Sequence, residues 1–202
     1  MRERRFTFVR HATTVYNDQH LLNGDPLVPV PLDAGGRVAA AALGRRLEHC
    51  PFDLALHTRF ARTCETLTLL LGRRTDVPVA VEPAFDDIDV GIFEGEDVQA
   101  YRDWRARHGQ DEAPPGGESR LAALGRYADG CARLLARHDA CCVLLVVHDI
   151  PIRFLRNALL AADPIEGPVR TVVNLERLSV GEPQLAAGLA VMRRRLSGLP
   201  PV

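Results

Sequence analysis

Two arginines and two histidines stand out for the chemistry they could do together: Arg10 with His11, Arg62 four residues after Thr58, and His148. Guanidinium forks match phosphoryl or carboxylate oxygens two at a time. A neutral imidazole can act as a nucleophile toward phosphorus or as an acid-base group. Brought together, such residues form a site for a phosphoryl or carboxylate group. All 25 basic residues are Arg and the chain has no Lys. That excludes a lysine-dependent phosphate-binding loop, a Schiff-base enzyme and a catalytic Lys base.

The elements that must position these residues follow from local patterns. Residues 6–9 form a β-prone run that delivers Arg10 and His11 to its C-terminal end, and the Asn, Gly, Asp and Pro of residues 17–31 predict a loop. Residues 32–47 predict a helix capped by Asp33, with an apolar stripe of Val38, Ala41, Ala42, Leu43 and Leu47. Residues 53–57 predict a second strand, after which Thr58 is expected to cap a helix over 59–71 with Arg62 in its first turn. Residues 77–81 are a third strand candidate, 82–95 a loop and 98–107 a helix. Ser119 or Glu118 opens a long helix to about Arg137, with Leu121, Leu124, Ala128, Cys131 and Leu135 on its apolar side. Residues 142–147 are continuously apolar, as a central strand buried on both faces would be, and end at His148. Pro151 suits the first turn of a helix reaching Leu160, and residues 171–192 read as one or two edge strands.

This alternation predicts an α/β fold: one domain over residues 1–202, a three-layer α/β/α sandwich with a mainly parallel central sheet. Ligands in such sheets bind beyond the carboxyl ends of the strands, where His11, Thr58, Arg62 and His148 would converge.

Composition sets the remaining bounds. With 25 basic against 26 acidic side chains the chain carries a net charge of −1, which offers no field that would make nucleic acid an obligate partner. No apolar stretch approaches the ~20 residues of a membrane helix, and the N-terminus has no signal-peptide core, so a cytoplasmic protein is expected. The five cysteines are odd in number and lack zinc or C-x-x-C spacing, as expected of reduced thiols. Cys141 and Cys142 are expected to pack as small hydrophobes. The Arg-rich ends, 2–5 and 193–195, and His20, His49, His108 and His138 read as solvated. Tyr101 and Trp104 recur at helical spacing and read as packing; His57 either touches the pocket or ends its strand. An edge strand from Thr171 is a candidate for pairing with a second subunit in a homodimer.

Five segments, in order, resemble motifs of the histidine phosphatase superfamily, the phosphoglycerate mutase-like family. Arg10-His11-Ala12-Thr13-Thr14-Val15-Tyr16-Asn17 is similar to its opening Arg-His-Gly-Glu-Thr-x-x-Asn, and Thr58 to Thr66 is similar to its Ser-Pro-Leu-x-Arg-Ala-x-Gln-Thr. Asp87 to Gly95 resembles Glu-Ile-x-x-Gly-x-Trp-Glu-Gly, Gly117-Glu118-Ser119 matches Gly-Glu-Ser, and His148 to Arg153 resembles the second-histidine motif. The resemblance implies a phosphatase of the first branch that hydrolyses a small phosphomonoester through a phosphohistidine on His11. Arg10, Arg62 and His148 would clamp the phosphoryl oxygens. Asn17 and Thr58 would add hydrogen bonds, and Glu118 would either bind substrate or cap a helix.

Asp87 aligns with the family's proton donor. Asp149 competes, because the acid-phosphatase branch carries a His-Asp pair; otherwise it caps the helix near Pro151. No metal or other cofactor is expected, since arginines supply the positive charge. The alternatives are a phosphoglycerate mutase-type phosphotransferase and a catalytically weak phospholigand-binding regulatory protein. Thr13 stands where mutases carry Glu, which argues against the first; intact His11, Arg10, Arg62 and His148 argue against the second.

Overall fold

The structure, a computed structural model, describes residues 3–137 and 139–199; Arg2 and His138, both expected to be solvated, lie outside them. Five strands form one mixed sheet in the order β3-β2-β4-β1-β5: β1 Arg5–Arg10, β2 Leu54–His57, β3 Val79–Val81, β4 Cys142–Val147 and β5 Arg177–Gly181. β1 to β4 run parallel and β5 is antiparallel to β1.

The continuous apolar run of β4 has the expected cause. Val143, Leu145 and Val147 pack on one face of the sheet with Phe6, Phe8, Leu54 and Leu56, while Leu144 and Val146 pack on the other with Val9 and Ala55. The first face is covered by helices α5 (Arg120–Ala136), α6 (Asp149–Leu159) and α7 (Glu182–Leu196), which bring Leu124, Tyr127, Leu134, Ile152, Phe154, Leu185 and Met192. The second is covered by α2 (Ala34–Leu47) and α3 (Ala61–Leu71) through Leu43, Leu47, Leu67 and Leu70. This is the three-layer α/β/α arrangement. A short helix α1 (Val15–Asp18) and α4 (Val98–Ala106) belong to the segments above the carboxyl ends of the strands.

Several local expectations are corrected. The buried face of α2 is Gly36, Ala40, Leu43, Gly44 and Leu47, whereas Val38 is 71% exposed. Glycine adds nothing to an apolar stripe yet lets the helix approach closely: a Cβ on Gly36 would lie 2.3 Å from the Thr13 carbonyl oxygen. Residues 171–192 hold one edge strand, β5, followed by α7, whose Glu182 and Pro183 open the helix and whose Leu185, Gly188, Leu189 and Met192 recur at three- and four-residue spacing. α5 is capped by Ser119, one of the two expected starts, and Leu124, Ala128 and Cys131 of the expected side are buried; Ala123, Tyr127 and Leu134 join them, while Leu121 and Leu135 are only half-buried.

Cys141 and Cys142 are likewise only half-buried. Two charged segments expected in solvent are anchored: Arg4 donates 3.0 Å to Glu182 and 2.8 Å to the Leu134 carbonyl, and Arg195 donates 2.8 Å to Asp163. His108 is half-buried, with its ring stacked on Trp104 at 4.2 Å.

Candidate active site

Strand register fixes the centre of the site. Arg10 pairs with Val147 across β1 and β4, so the next residue on each chain, His11 and His148, meets its counterpart just past the sheet. Their rings stand 5.4 Å apart at 63° and both are buried. α3 follows β2 and carries Arg62 between them: its Nε donates 3.1 Å to His11 Nε2, and its Nη2 donates 3.1 Å to His148 Nδ1 and 2.9 Å to Asp87. The guanidinium lies over the Phe60 ring at 4.2 Å.

Each imidazole is held in one tautomer. His11 Nδ1 donates 2.7 Å to the carbonyl of Ala12, which leaves Nε2 with its lone pair. The segment is fixed by three further bonds. His11 N–H reaches the Val147 carbonyl at 2.9 Å, Asn174 Nδ2 donates 2.9 Å to the His11 carbonyl, and Ala12 N–H donates 3.1 Å to Thr66. On the other side a relay runs outward: His148 Nε2 donates 2.9 Å to the Thr58 hydroxyl, Thr58 donates 2.8 Å to Thr63, and Thr63 donates 2.8 Å to the Phe60 carbonyl. Because Arg62 can only donate, His148 Nδ1 accepts, and the remaining directions follow.

This inward role explains why Thr58 does not cap α3, whose N-cap is Phe60. Neither Thr58 nor His148 lines the cavity as it stands; the Thr58 hydroxyl, expected on phosphate, is turned to His148 and supports its ring.

Electrostatics follow from burial. Desolvation first, then the charges of Arg62 and Arg10 for His11 and of Arg62 for His148, lowers both imidazoles well below 6.5, so both are neutral at neutral pH. Burial raises the Asp87 carboxyl above its ordinary value, against the opposing charge of Arg62, and the nearby Asp149 charge adds to the rise. Asp87 Oδ2 also lies 3.4 Å from His148 Nδ1.

A cavity of about 270 Å³ opens over this cluster. Arg10, His11, Asn17, Arg62, Asp87 and Asp149 line it, which brings together six of the nine residues singled out in the sequence. Arg10 donates to the Val172 carbonyl, and Asn17 closes a capping box with Thr14, its Oδ1 accepting from Thr14 N–H at 3.0 Å. Asp149 is not a cap: it is the first residue of α6, and it accepts from Val172 N–H at 2.6 Å. Glu118 neither caps α5 nor lines the cavity; Arg126 holds its carboxylate, which also accepts from Asp89 N–H at 3.3 Å. That contact ties the loop of residues 114–119 to the Asp87 segment, where Gly91, at φ +54, lies so close that a Cβ would meet the Pro115 carbonyl oxygen at 2.2 Å. His57 bonds the Thr58 carbonyl at 2.7 Å and does not line the cavity.

One site residue, Asn23, carried no sequence signal of its own. Asn23 receives Arg62 on both its side-chain and its backbone oxygen, and Glu94 fixes that loop by accepting from Gly24 N–H at 2.6 Å, Asp25 N–H at 2.9 Å and Asn23 Nδ2 at 2.8 Å. Glu94 lay inside a quoted motif, so attention to its carboxylate would have found it. Tyr101, Arg102, Arg105, Arg153 and Arg170 complete the outer cavity wall. Tyr101 also packs parallel to Trp104, as expected. Among the described residues no group of three or more His, Cys, Asp or Glu could hold a metal ion, and no helix is long and apolar enough to cross a membrane.

Comparison with known proteins identifies the family and the fold. The chain is 30% identical over 119 residues to fructose-2,6-bisphosphatase TIGAR B of Danio rerio, covering 56% of this chain and 46% of that protein. It is 32% identical over 122 residues to 2,3-bisphosphoglycerate-dependent phosphoglycerate mutase 2 of Gloeobacter violaceus, covering 55% and 54%. The chain thus spans about half the length of these curated relatives. Over a larger share, the fold superposes on the alpha-ribazole phosphatase from Shigella flexneri with a TM-score of 0.76 and 25% identity, covering 87% of this chain and 89% of that one. Residues 6–182 match the family model of the histidine phosphatase superfamily (branch 1), and the chain belongs to that family.

Proposed function

We propose that the protein hydrolyses a small phosphomonoester without a metal, through a phosphohistidine on His11. The observation that supports this most is the His11 tautomer: Nδ1 is engaged by the Ala12 carbonyl, so the lone pair is on Nε2, beside Arg62. A phosphoryl group entering the cavity would take the N–H groups of Arg62 over from the two imidazoles, freeing Nε2 to attack phosphorus. The phosphorus–oxygen bond to the alcohol breaks, and the leaving oxygen takes a proton from Asp87, whose carboxyl burial raises above its ordinary value, in the direction an acid catalyst needs. Water then attacks the phosphohistidine, Asp87 takes its proton, and inorganic phosphate leaves with His11 neutral again. Arg10 and Arg62 offset the charge of the transferring group. A substrate bound as its monoanion would pass its remaining phosphoryl proton to His148 Nδ1, turning that acceptor into a donor while Thr58 holds the ring.

The test is phosphate release from a panel of phosphomonoesters in the presence of chelator, for wild type, His11→Ala and Asp87→Asn. Activity that survives chelation and falls by at least about four orders of magnitude in His11→Ala supports the reading. An isomerised ester in place of free phosphate would point to the mutase-type reaction of the Gloeobacter violaceus relative. Undiminished activity in Asp87→Asn would move the proton donor to Asp149.

A further inference from the structure

Asp87 sits on a stretch of chain that no helix or strand holds. Residues 86–90 run irregularly between a short turn at Pro83–Phe85 and another at Gly91–Phe93. Backbone groups in such a stretch must find partners elsewhere. Arg126, in the second turn of α5, supplies them. Its Nη1 donates to the carbonyls of Asp86 at 2.8 Å and Ala84 at 3.1 Å, and its Nη2 donates to the carbonyl of Asp87 at 3.2 Å. The same guanidinium is paired with Glu118, whose carboxylate accepts from Asp89 N–H at 3.3 Å. Two side chains thus grip the backbone on both sides of Asp87. α5 comes close enough because Gly130, one turn beyond Arg126, has no side chain: a Cβ there would lie 2.8 Å from the Phe85 ring.

The grip also fixes which way Asp87 faces. Asp86 has extended backbone, φ −53 and ψ 152, and neighbouring side chains of extended chain point to opposite sides. The Asp86 carboxylate is bound by Arg59, whose N–H reaches it at 2.9 Å and whose Nε donates to it as well. Asp87 is therefore turned to the cavity, with Oδ2 2.9 Å from Arg62 Nη2. A bare guanidinium this near would favour the ionised carboxyl and spoil an acid. Glu118 meets that charge, and the charges that act most on Asp87 are those of Arg62, Asp149 and Arg10. Arg126 does not line the cavity, so its effect on the reaction would pass through Asp87.

We infer that Arg126, paired with Glu118, is a positioning residue for the proton donor: it holds residues 86–89 so that the Asp87 carboxyl meets the leaving oxygen. This rests on the phosphatase reading for the role of Asp87 but not for the clamp itself. The consequence is a loss that depends on the leaving group. An alkoxide needs a proton to leave, whereas 4-nitrophenolate leaves without one.

The test is kcat/KM, which reports the step that forms the phosphohistidine, for ethyl, phenyl and 4-nitrophenyl phosphate, whose leaving groups fall in basicity in that order. Arg126→Met should lose about tenfold to a hundredfold on ethyl phosphate and less than about threefold on 4-nitrophenyl phosphate, with phenyl phosphate between them. Glu118→Gln should show the same order with smaller losses, and Asp87→Asn sets the full slope. General loosening of the fold would lower all three rates alike. Equal losses or none in Arg126→Met, while Asp87→Asn discriminates among the esters, would overturn the assignment. Should Arg126→Met fail to fold, Arg126→Lys, which keeps the charge but cannot span three carbonyls and a carboxylate, is read in the same way. Should Asp87→Asn lose equally on every ester, or should no ester turn over, the reading of Asp87 as donor fails by itself, and amide hydrogen exchange at Ile88 and Asp89 decides the clamp. Faster exchange there in the Arg126 variant, with the β4 amides as in wild type, supports it; wild-type exchange overturns it.

Discussion

The two ends of the cavity are built differently. At the inner end the bonding is dense: Arg62 alone bonds His11, His148, Asp87 and Asn23, and among the described residues one buried nitrogen there, Arg10 Nε, has no partner. At the outer end the arginines come from α4, α6 and a loop, and Arg105 and Arg153 bury unpartnered nitrogens. A preorganised cluster suits a step shared by all substrates, because its donors need no rearrangement as charge develops. An under-paired wall suits selection, because only the right ligand completes it.

The contrast is sharpest for Arg62. Arg62→Ala should lower kcat by about 10²- to 10³-fold for every phosphomonoester that the wild type hydrolyses, as measured by steady-state kinetics. Arg105→Gln should instead change kcat little; a loss as large as that of Arg62→Ala would erase the distinction between the two ends.

Behind the inner cluster, Thr58→Val leaves the buried His148 Nε2–H unanswered and should lower kcat about tenfold with little change in KM, whereas Thr58→Ser should restore it. A Thr58→Val enzyme with wild-type kcat would mean that His148 needs no support.

The smallest expected effect is on stability. Unfolded histidines take up protons near 6.5, whereas the buried, neutral His11 and His148 have lowered pKa values and do not. The unfolded state therefore binds more protons over that window, and stability is lost as pH falls from about 6.5 toward the folded values. The slope is at most about 1.4 kcal/mol per pH unit for each imidazole. Asp87, with its raised value, acts in the opposite sense, favouring the folded state as pH falls through that value toward 3.8. Urea midpoints between pH 7.5 and 5.5 should fall for wild type and flatten in a His11→Asn/His148→Asn protein. Parallel curves would remove the imidazoles as the cause.

The sequence disclosed the inner end far better than the outer one, for physical reasons. Strand-end residues are located by short apolar runs, so Arg10, His11 and His148 could be assigned to the sheet from residues 6–9 and 142–147 alone. Thr58 was legible as a position but not in its direction, since a hydroxyl before a helix can cap it or turn inward, and only the nearness of β4 decides. α7 was hidden because a small-residue helix face such as Gly188 has little apolar signal, and the buried face of α2 was misjudged for the same reason. Arg105, Arg153 and Arg170 were illegible as a group. Each looks like an ordinary surface arginine until the fold brings it to the cavity wall.

The place of β4 has a consequence for how the chain acquires its structure. β4 lies between β2 and β1, and Arg5 pairs with Cys142 while Leu54 pairs with Val143. The two innermost pairings thus join distant parts of the chain, and β1 cannot find its parallel neighbour until residues 142–147 have been synthesised. Such non-local pairing predicts slow folding and a nascent chain whose Phe6 and Phe8 stay uncovered through most of translation. His11 and His148 would then meet in one of the last events of folding, so recovery of activity after dilution from denaturant should lag behind the return of helical signal.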